Sequence, residues 1–337
     1  MSSPTRTMPA VLFTSGRRTV LAEHPEPEPT PGKVLVDVDL TGICGSDLHA
    51  ADLEVYTAGH ILGHEVAGRV RSVGEGVSGW RPGMRVAINP NGNICGTCRW
   101  CRAGQFNHCV RATQETAVGM QQDGGLAPRL LLAASTLRVI PEEMGRVEAA
   151  WVEPAATALR AVRLAGDVGG RTILVTGGGP IGQLVIRLLR QAGAGRIVLS
   201  EPSPERRRFG AASGADEVLS PAEMPEGLAV DAVIECSGNA GATRQAVGAL
   251  EPRGTLVVVG AGPGSGLDPA TILFKELVVR GSFTYVSEFD DVIPMLADNR
   301  LPVADLTTEV VPLSGALDAI ASLRQASTMK VLVDPAL

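Results

Sequence analysis

Thr172-Ile173-Leu174-Val175-Thr176-Gly177-Gly178-Gly179-Pro180-Ile181-Gly182 reads as a short apolar strand that runs into a glycine turn and then into a helix. The helix reading rests on period: Ile181, Leu184, Val185, Leu188, Leu189 and Ala192 recur at 3.6-residue spacing, one apolar face of a surface helix. Gly177, Gly179 and Gly182 form a Gly-x-Gly-x-x-Gly run at its mouth. Such glycines permit a tight turn and close backbone approach, and a helix N-terminus offers free N–H groups to a pyrophosphate. Gly177, Gly179, Pro180, Ile181 and Gly182 are therefore the candidate cofactor-binding residues of a dinucleotide site. The bland alternative is a glycine turn with no ligand, and the strand before it and the helix after it weigh against that. Glu201, nineteen residues past Gly182, closes the next strand candidate where a carboxylate can hold ribose hydroxyls and repel the extra phosphate of NADP. NAD is the expected cofactor, with NADP disfavoured. Arg206, followed by Arg207 and Arg208, is the residue that could turn toward such a phosphate, although three arginines early in a helix also read as a solvated face.

Working outward, strands and helices alternate from Thr172 to Val259: helix 181–192, strand 197–199, helix 204–212, strand 232–234, helix 240–250, strand 256–259. That alternation means βαβ units and a parallel sheet. A helix over 155–164 precedes them, and helices near Val292 and over 314–323, then a strand at 331–333, follow. The segment from Lys33 to Arg85 has a different texture, short apolar runs broken by glycine and proline, which predicts antiparallel strands joined by turns. At 337 residues two domains are expected.

Composition narrows the partners. The chain is 45% apolar with a net charge of −6 and scattered basic residues, which disfavours nucleic acid and anionic membrane as partners. No run of about 18 uncharged apolar residues occurs, and Met1 to Pro9 lack an apolar leader core, so a cytoplasmic location is expected. In that setting six cysteines point to metal rather than to disulfides.

Their spacing agrees. Cys95, Cys98, Cys101 and Cys109 have the spacing of a closed tetrahedral zinc site, which holds shape and performs no chemistry. Cys44, His64, Glu65 and Glu153 mix sulfur, imidazole and carboxylate, the donor set of a zinc with an open position. Glu153 has a competing use as an acid at a helix N-terminus.

Taken together, these motifs resemble the zinc-dependent medium-chain dehydrogenases, the family of alcohol, polyol and threonine dehydrogenases. The resemblance covers nearly the full length. Its most specific parts are Gly63-His64-Glu65-x-x-Gly68 with Gly74 and Val77, Cys44-Gly45-Ser46-Asp47-x-His49, and the four-cysteine run; Glu153-Pro154 looks like the polyol and threonine branch. The resemblance implies an α/β fold in which a doubly wound Rossmann domain (156–285) is inserted into a β-rich, GroES-like catalytic domain. The latter would comprise residues 1–155, with a zinc lobe at 91–111, and a C-terminal segment 286–337. It also implies two zinc ions per chain, one catalytic on Cys44 and His64 with Glu65 and Glu153 ligating directly or through water, one structural on the four cysteines. Ser46 and His49 would relay the alcohol proton outward, since a serine hydroxyl both accepts and donates.

The expected reaction is hydride transfer from a secondary alcohol to NAD, giving a ketone. Expected substrates are a polyol, cyclitol, amino sugar, aminocyclitol or small diol. Ala50, Arg160 and Phe283-Thr284-Tyr285 depart from the sorbitol-type pattern. An arginine absent from position 284 removes charge-assisted hydrogen bonds worth about 1.5 to 3 kcal/mol each, which speaks against sorbitol itself. The polar stretch Thr113 to Gln122 is a candidate pocket wall. Two rivals stay open: a threonine or simple alcohol dehydrogenase on the same scaffold, and a non-catalytic NAD- and zinc-binding sensor or interaction module. A homodimer or homotetramer is expected from the family.

Overall fold

The computed structural model describes residues 6–262, 264 and 266–337. Met1 to Thr5, part of the stretch read for a leader, lie outside them. By contacts the chain divides into two compact units, one comprising Met1–Glu153 and Phe289–Leu337, the other Pro154–Glu288.

The first unit opens with the antiparallel hairpin β1 (Thr7–Phe13) and β2 (Thr19–Pro25). Strand β3 (Lys33–Gly42) leads into a single helical turn, α1 (Gly45–Leu48), and is followed by β4 (Glu65–Val73) and β5 (Arg85–Ile88). A small lobe carries the short helix α2 (Arg99–Arg102) and returns through β6 (Arg129–Ala133), β7 (Leu137–Val139) and α3 (Arg146–Ala150). Val34, Val36, Val66, Val70, Val86, Ile88, Leu130 and Leu132 interdigitate into one buried cluster, which is why these β-branched runs settle as strands.

Helix α4 (Val152–Leu164) begins three residues before the predicted start and carries Glu153 in its first turn. The second unit follows with β8 (Thr172–Thr176), α5 (Pro180–Gln191), β9 (Arg196–Ser200), α6 (Pro204–Ser213), β10 (Glu217–Leu219), β11 (Val230–Glu235), α7 (Ala240–Ala249), β12 (Leu250–Val258), α8 (Pro269–Phe274) and β13 (Val278–Gly281). Its six strands are all parallel, in the order β10-β9-β8-β11-β12-β13. That is the doubly wound order 3-2-1-4-5-6, whose direction reverses between β8 and β11 and opens a crevice at their C-terminal ends.

The chain then returns to the first unit through α9 (Glu288–Ala297), β14 (Thr307–Pro312), α10 (Ala316–Ser322) and β15 (Lys330–Asp334). β15 pairs antiparallel with β3 and completes the seven-stranded sheet β14-β15-β3-β4-β5-β7, with β6 beside β3. The largest fully buried side chain is Trp151, whose indole N–H donates to Thr307 Oγ1 at 2.9 Å and ties the two chain ends of this unit together. Among the described residues no helix is long and apolar enough to cross a membrane.

Candidate functional site

In the first unit, β3 ends at Gly42 and the chain turns sharply at Cys44. The turn is held by Asp47, whose Oδ2 accepts the Cys44 backbone N–H at 3.0 Å. β4 starts at Glu65, so His64 and Glu65 arrive beside that turn from the neighbouring strand. The ligand atoms of Cys44, His64 and Glu65 consequently lie within 4.8 Å of one another, with both His64 and Glu65 buried. Glu153 is outside that group of three, although its charge reaches His64 and Lys330. His64 Nδ1 is buried with no hydrogen-bond partner, and its nearest carboxylate oxygen, Asp47 Oδ1, stands at 3.7 Å. Burial opposes a charge on this imidazole, yet Asp47 and then Cys44 outweigh it and lift its pKa well above the usual histidine range. A cluster of sulfur, imidazole and carboxylate donors, with His64 and Glu65 buried, is the donor set that a divalent zinc ion takes, so the residues fit that ion.

Lys330, which nothing in the sequence singled out, completes the trio's surroundings. Its ammonium lies 2.7 Å from both Glu65 oxygens and donates to Ile43 O at 3.0 Å, with the Trp151 ring centroid 5.5 Å away. Burial disfavours its charge, but Glu65 and Cys44 hold its pKa above the ordinary lysine value.

The two candidate relay residues are placed differently. Ser46 sits in α1 with its Oγ 2.9 Å from the hydroxyl of Tyr56, a residue the sequence reading passed over. His49 follows α1 on the surface, its Nδ1 3.4 Å from Asp52. The two are joined by the backbone bond from His49 N to Ser46 O. The stretch Thr113 to Gln122 packs against the Tyr56 segment, with Gln121 Nε2 donating to Val55 O at 2.6 Å and Thr57 N to Met120 O at 2.9 Å.

In the lobe, the four sulfurs of Cys95, Cys98, Cys101 and Cys109 fall within 4.8 Å of one another. Gly96 makes this possible, since the turn needs φ of +71°, a value that glycine adopts without strain. Backbone N–H groups point at the sulfurs: Cys98 N to Cys95 Sγ at 3.3 Å, Cys95 N to Cys109 Sγ at 3.3 Å and Cys101 N to Cys98 Sγ at 3.5 Å. Backbone N–H donors from Thr97 and Cys98 bring the Cys95 thiol down to about 6, while burial and the neighbouring Cys98 push Cys101 up to about 12. A divalent cation is the partner that lets four such neighbours ionise together, and the cluster fits a structural zinc.

The second unit carries the cofactor cradle. Gly177 (φ +88°) and Gly182 are glycines by necessity, because a Cβ on Gly182 would stand 2.0 Å from Gly177 O. Gly179 differs: a Cβ there would meet no protein atom within 4 Å. It caps α5, whose first residue is Pro180, and opens into a cavity of about 560 Å³ lined by Gly177, Gly179, Glu201, Arg206, Ser237 and Asn239 among others. The cavity lies at the crevice between β8 and β11, and Ile181 follows Pro180 in the first turn of α5. Glu201 is buried, with Oε2 accepting Gly178 N–H at 2.6 Å and Oε1 accepting Ser203 N–H at 2.8 Å, so its carboxylate is fixed at the cavity wall. Cys236 also lines the cavity, and burial pushes its thiol far up, leaving it protonated.

Comparison with known proteins settles what this combination is. Residues 30–142 match the alcohol dehydrogenase GroES-like domain, and residues 180–298 match the zinc-binding dehydrogenase domain. The chain belongs to the zinc-dependent medium-chain dehydrogenases. This dehydrogenase is 34% identical to the L-threonine 3-dehydrogenase of Pyrococcus horikoshii over 293 residues, covering 82% of this chain and 81% of that protein. It is 30% identical to the sorbitol dehydrogenase of Halalkalibacterium halodurans over 345 residues, 97% of this chain and 99% of that one. Among solved structures, a zinc-binding dehydrogenase from Sinorhizobium meliloti bound to NADP superposes with a TM-score of 0.91 at 33% identity, covering 98% of this chain and 100% of that one. The fold and enzyme class expected from the motifs therefore hold: this is an oxidoreductase of the alcohol and polyol dehydrogenase family, acting on a small molecule.

Proposed function

We propose that this dehydrogenase oxidises a polar secondary alcohol, of the polyol, cyclitol, amino-sugar or small-diol class, to its ketone with NAD. The observation that carries the reading is the trio Cys44, His64 and Glu65, whose ligand atoms lie within 4.8 Å of one another with His64 and Glu65 buried. Cys44 and His64 would hold the catalytic zinc, with Glu65 and Glu153 ligating it directly or through water. Zinc there supplies the Lewis acidity that makes an alcohol oxygen ready to lose its proton, and NAD supplies the hydride acceptor.

This chain's own groups do the rest. Ser46 Oγ accepts the alcohol proton as its own hydroxyl proton leaves toward His49, which is exposed beside Asp52 and releases a proton to water. The backbone amides at the start of α5 hold the pyrophosphate against the positive helix end. Glu201 receives the adenosine ribose hydroxyls, and its fixed negative charge supports NAD over NADP. Arg206 lines the same cavity, where it could turn toward a cofactor phosphate.

The closed site on Cys95, Cys98, Cys101 and Cys109 keeps the lobe folded and takes no part in the reaction. A cytoplasmic enzyme fits a chain that uses its cysteines as thiolates. For assembly, the free edge of β13 supports pairing with a second copy in a homodimer or homotetramer: all four of its residues are exposed, and Leu273 and Phe274 beside it are 70% and 83% exposed. An edge strand meeting its own copy about a two-fold axis satisfies both rows of backbone groups at once.

A panel of polyols, cyclitols, aminocyclitols, diols and threonine, each with NAD and NADP and with zinc counted per chain, tests the reading. Turnover of hydroxyl-rich secondary alcohols with two zinc ions supports it. Preference for threonine gives the enzyme to the branch of its Pyrococcus relative. One zinc and no turnover with any alcohol would leave a sensor or interaction module.

A further inference from the structure

Tyr56 lies between the serine proposed to carry the substrate proton and the carboxylate behind His64. It is 4% exposed, and its hydroxyl stands 2.9 Å from Ser46 Oγ and 3.2 Å from Asp47 Oδ1. The ring is held edge-on to Phe13 with centroids 6.0 Å apart, and the bonds from the Gln121 side-chain amide to Val55 O and from Thr57 N to Met120 O fix the chain on either side of it. A phenol hydroxyl placed so firmly between two polar groups has few orientations left to it.

The proton count decides what those orientations do. Tyr56 has one proton and two neighbours; ionised Asp47 can only accept, whereas the Ser46 hydroxyl both donates and accepts. When Tyr56 donates to Asp47, Ser46 donates to the Tyr56 oxygen and presents a free lone pair on its other side. When Tyr56 donates to Ser46, the serine proton is turned to that other side instead. The first arrangement offers a hydrogen-bond acceptor to an alcohol hydroxyl, the second a hydrogen-bond donor to a ketone oxygen.

We propose that Tyr56 is a positioning residue that sets the direction of the Ser46 hydroxyl, and so serves both directions of the reaction. The proposal rests on the dehydrogenase reading above and deepens it. Tyr56 acts through Ser46.

The test is a double-mutant cycle of Tyr56→Phe, Ser46→Ala and both together. Each is measured for kcat and KM in both directions, for the solvent deuterium effect on kcat, for zinc per chain and for thermal midpoint. Tyr56→Phe keeps the ring against Phe13, so the expected variant retains two zinc ions, a midpoint within a few degrees and an unchanged KM for NAD. Its kcat falls roughly tenfold, about what one lost hydrogen bond is worth, and the solvent isotope effect rises as proton movement becomes limiting. In the Ser46→Ala background the same change costs nothing further, since the group it acts through is gone. Unchanged kcat and isotope effect in Tyr56→Phe, losses that add in the double variant, or loss of zinc from Tyr56→Phe would each overturn the proposal. A parent protein that turns over no alcohol would instead overturn the underlying dehydrogenase reading, which separates the two failures.

Discussion

Replacing Lys330 by Met is the sharpest stability test of the site. Lys330 and Glu65 are 3% and 2% exposed, and the ammonium meets both carboxylate oxygens at 2.7 Å as well as Ile43 O at 3.0 Å. Methionine is an unbranched side chain of similar length that deletes the charge. Glu65 is then left buried without the ammonium that meets both of its oxygens. Breaking a buried pair from one side costs about 3 to 5 kcal/mol, chiefly because of the charge that stays behind. A surface pair would cost less than about 1 kcal/mol, so the two cases are well separated. The natural assay is urea unfolding followed by tryptophan fluorescence, since Trp80, Trp100 and Trp151 all lie in the first unit and report on it without interference from the second. Free zinc is held constant, because an ion that binds only the folded state adds its own stabilisation. The expected result is a loss of about 3 to 5 kcal/mol in Lys330→Met and recovery of most of it when Glu65 is also replaced by Leu. A single variant within about 1 kcal/mol of the parent, or a double variant as unstable as the single one, would refute the claim that this pair is buried and mutually dependent.

The remaining predictions divide along the two units. Cys44→Ser and His64→Ala each abolish turnover while NADH binding, measured by fluorescence titration, stays near the parent value, because the cradle residues belong to the other unit. Near-normal rates in either variant would remove the proposed zinc chemistry. Cys98→Ser lowers zinc content to one per chain and lowers the thermal midpoint, with activity falling only as folded protein is lost, since a structural zinc contributes folding free energy. Two alanine substitutions in the glycine run should part company: Gly179→Ala leaves the fold intact, as its Cβ meets nothing in the protein, but weakens NADH binding, whereas Gly182→Ala drives a Cβ to 2.0 Å from Gly177 O and lowers stability outright. Circular dichroism and NADH titration distinguish these outcomes, and equal behaviour of the two variants would contradict the cradle geometry.

What could be read from the sequence was what is local. The strand, glycine turn and helix from Thr172 to Gln191 declare themselves because the turn, the dipole end and the apolar face all fall within twenty consecutive residues. The four-cysteine lobe is legible for the same reason, since its ligands are separated by turns short enough to close on one cation. The hairpin β1 and β2 escaped notice because β2 is nowhere fully buried and shows no clean apolar alternation. β13 escaped because four exposed residues carry no core signal.

The same distinction runs through the site itself. Cys44, His64 and Glu65 were recognisable by residue type, whereas the residues that govern their electrostatics were not. Lys330 is separated from Glu65 by 265 positions and joins it only because β15 returns to pair with β3. Tyr56 is ten residues from Ser46, yet no period or spacing connects them; a loop of unremarkable composition brings the two hydroxyls together. Ligands must be of a few chemical types and so leave a pattern in sequence. A counter-charge or a hydrogen-bond partner can be supplied from anywhere the fold brings near, and its position is therefore information that exists only in three dimensions.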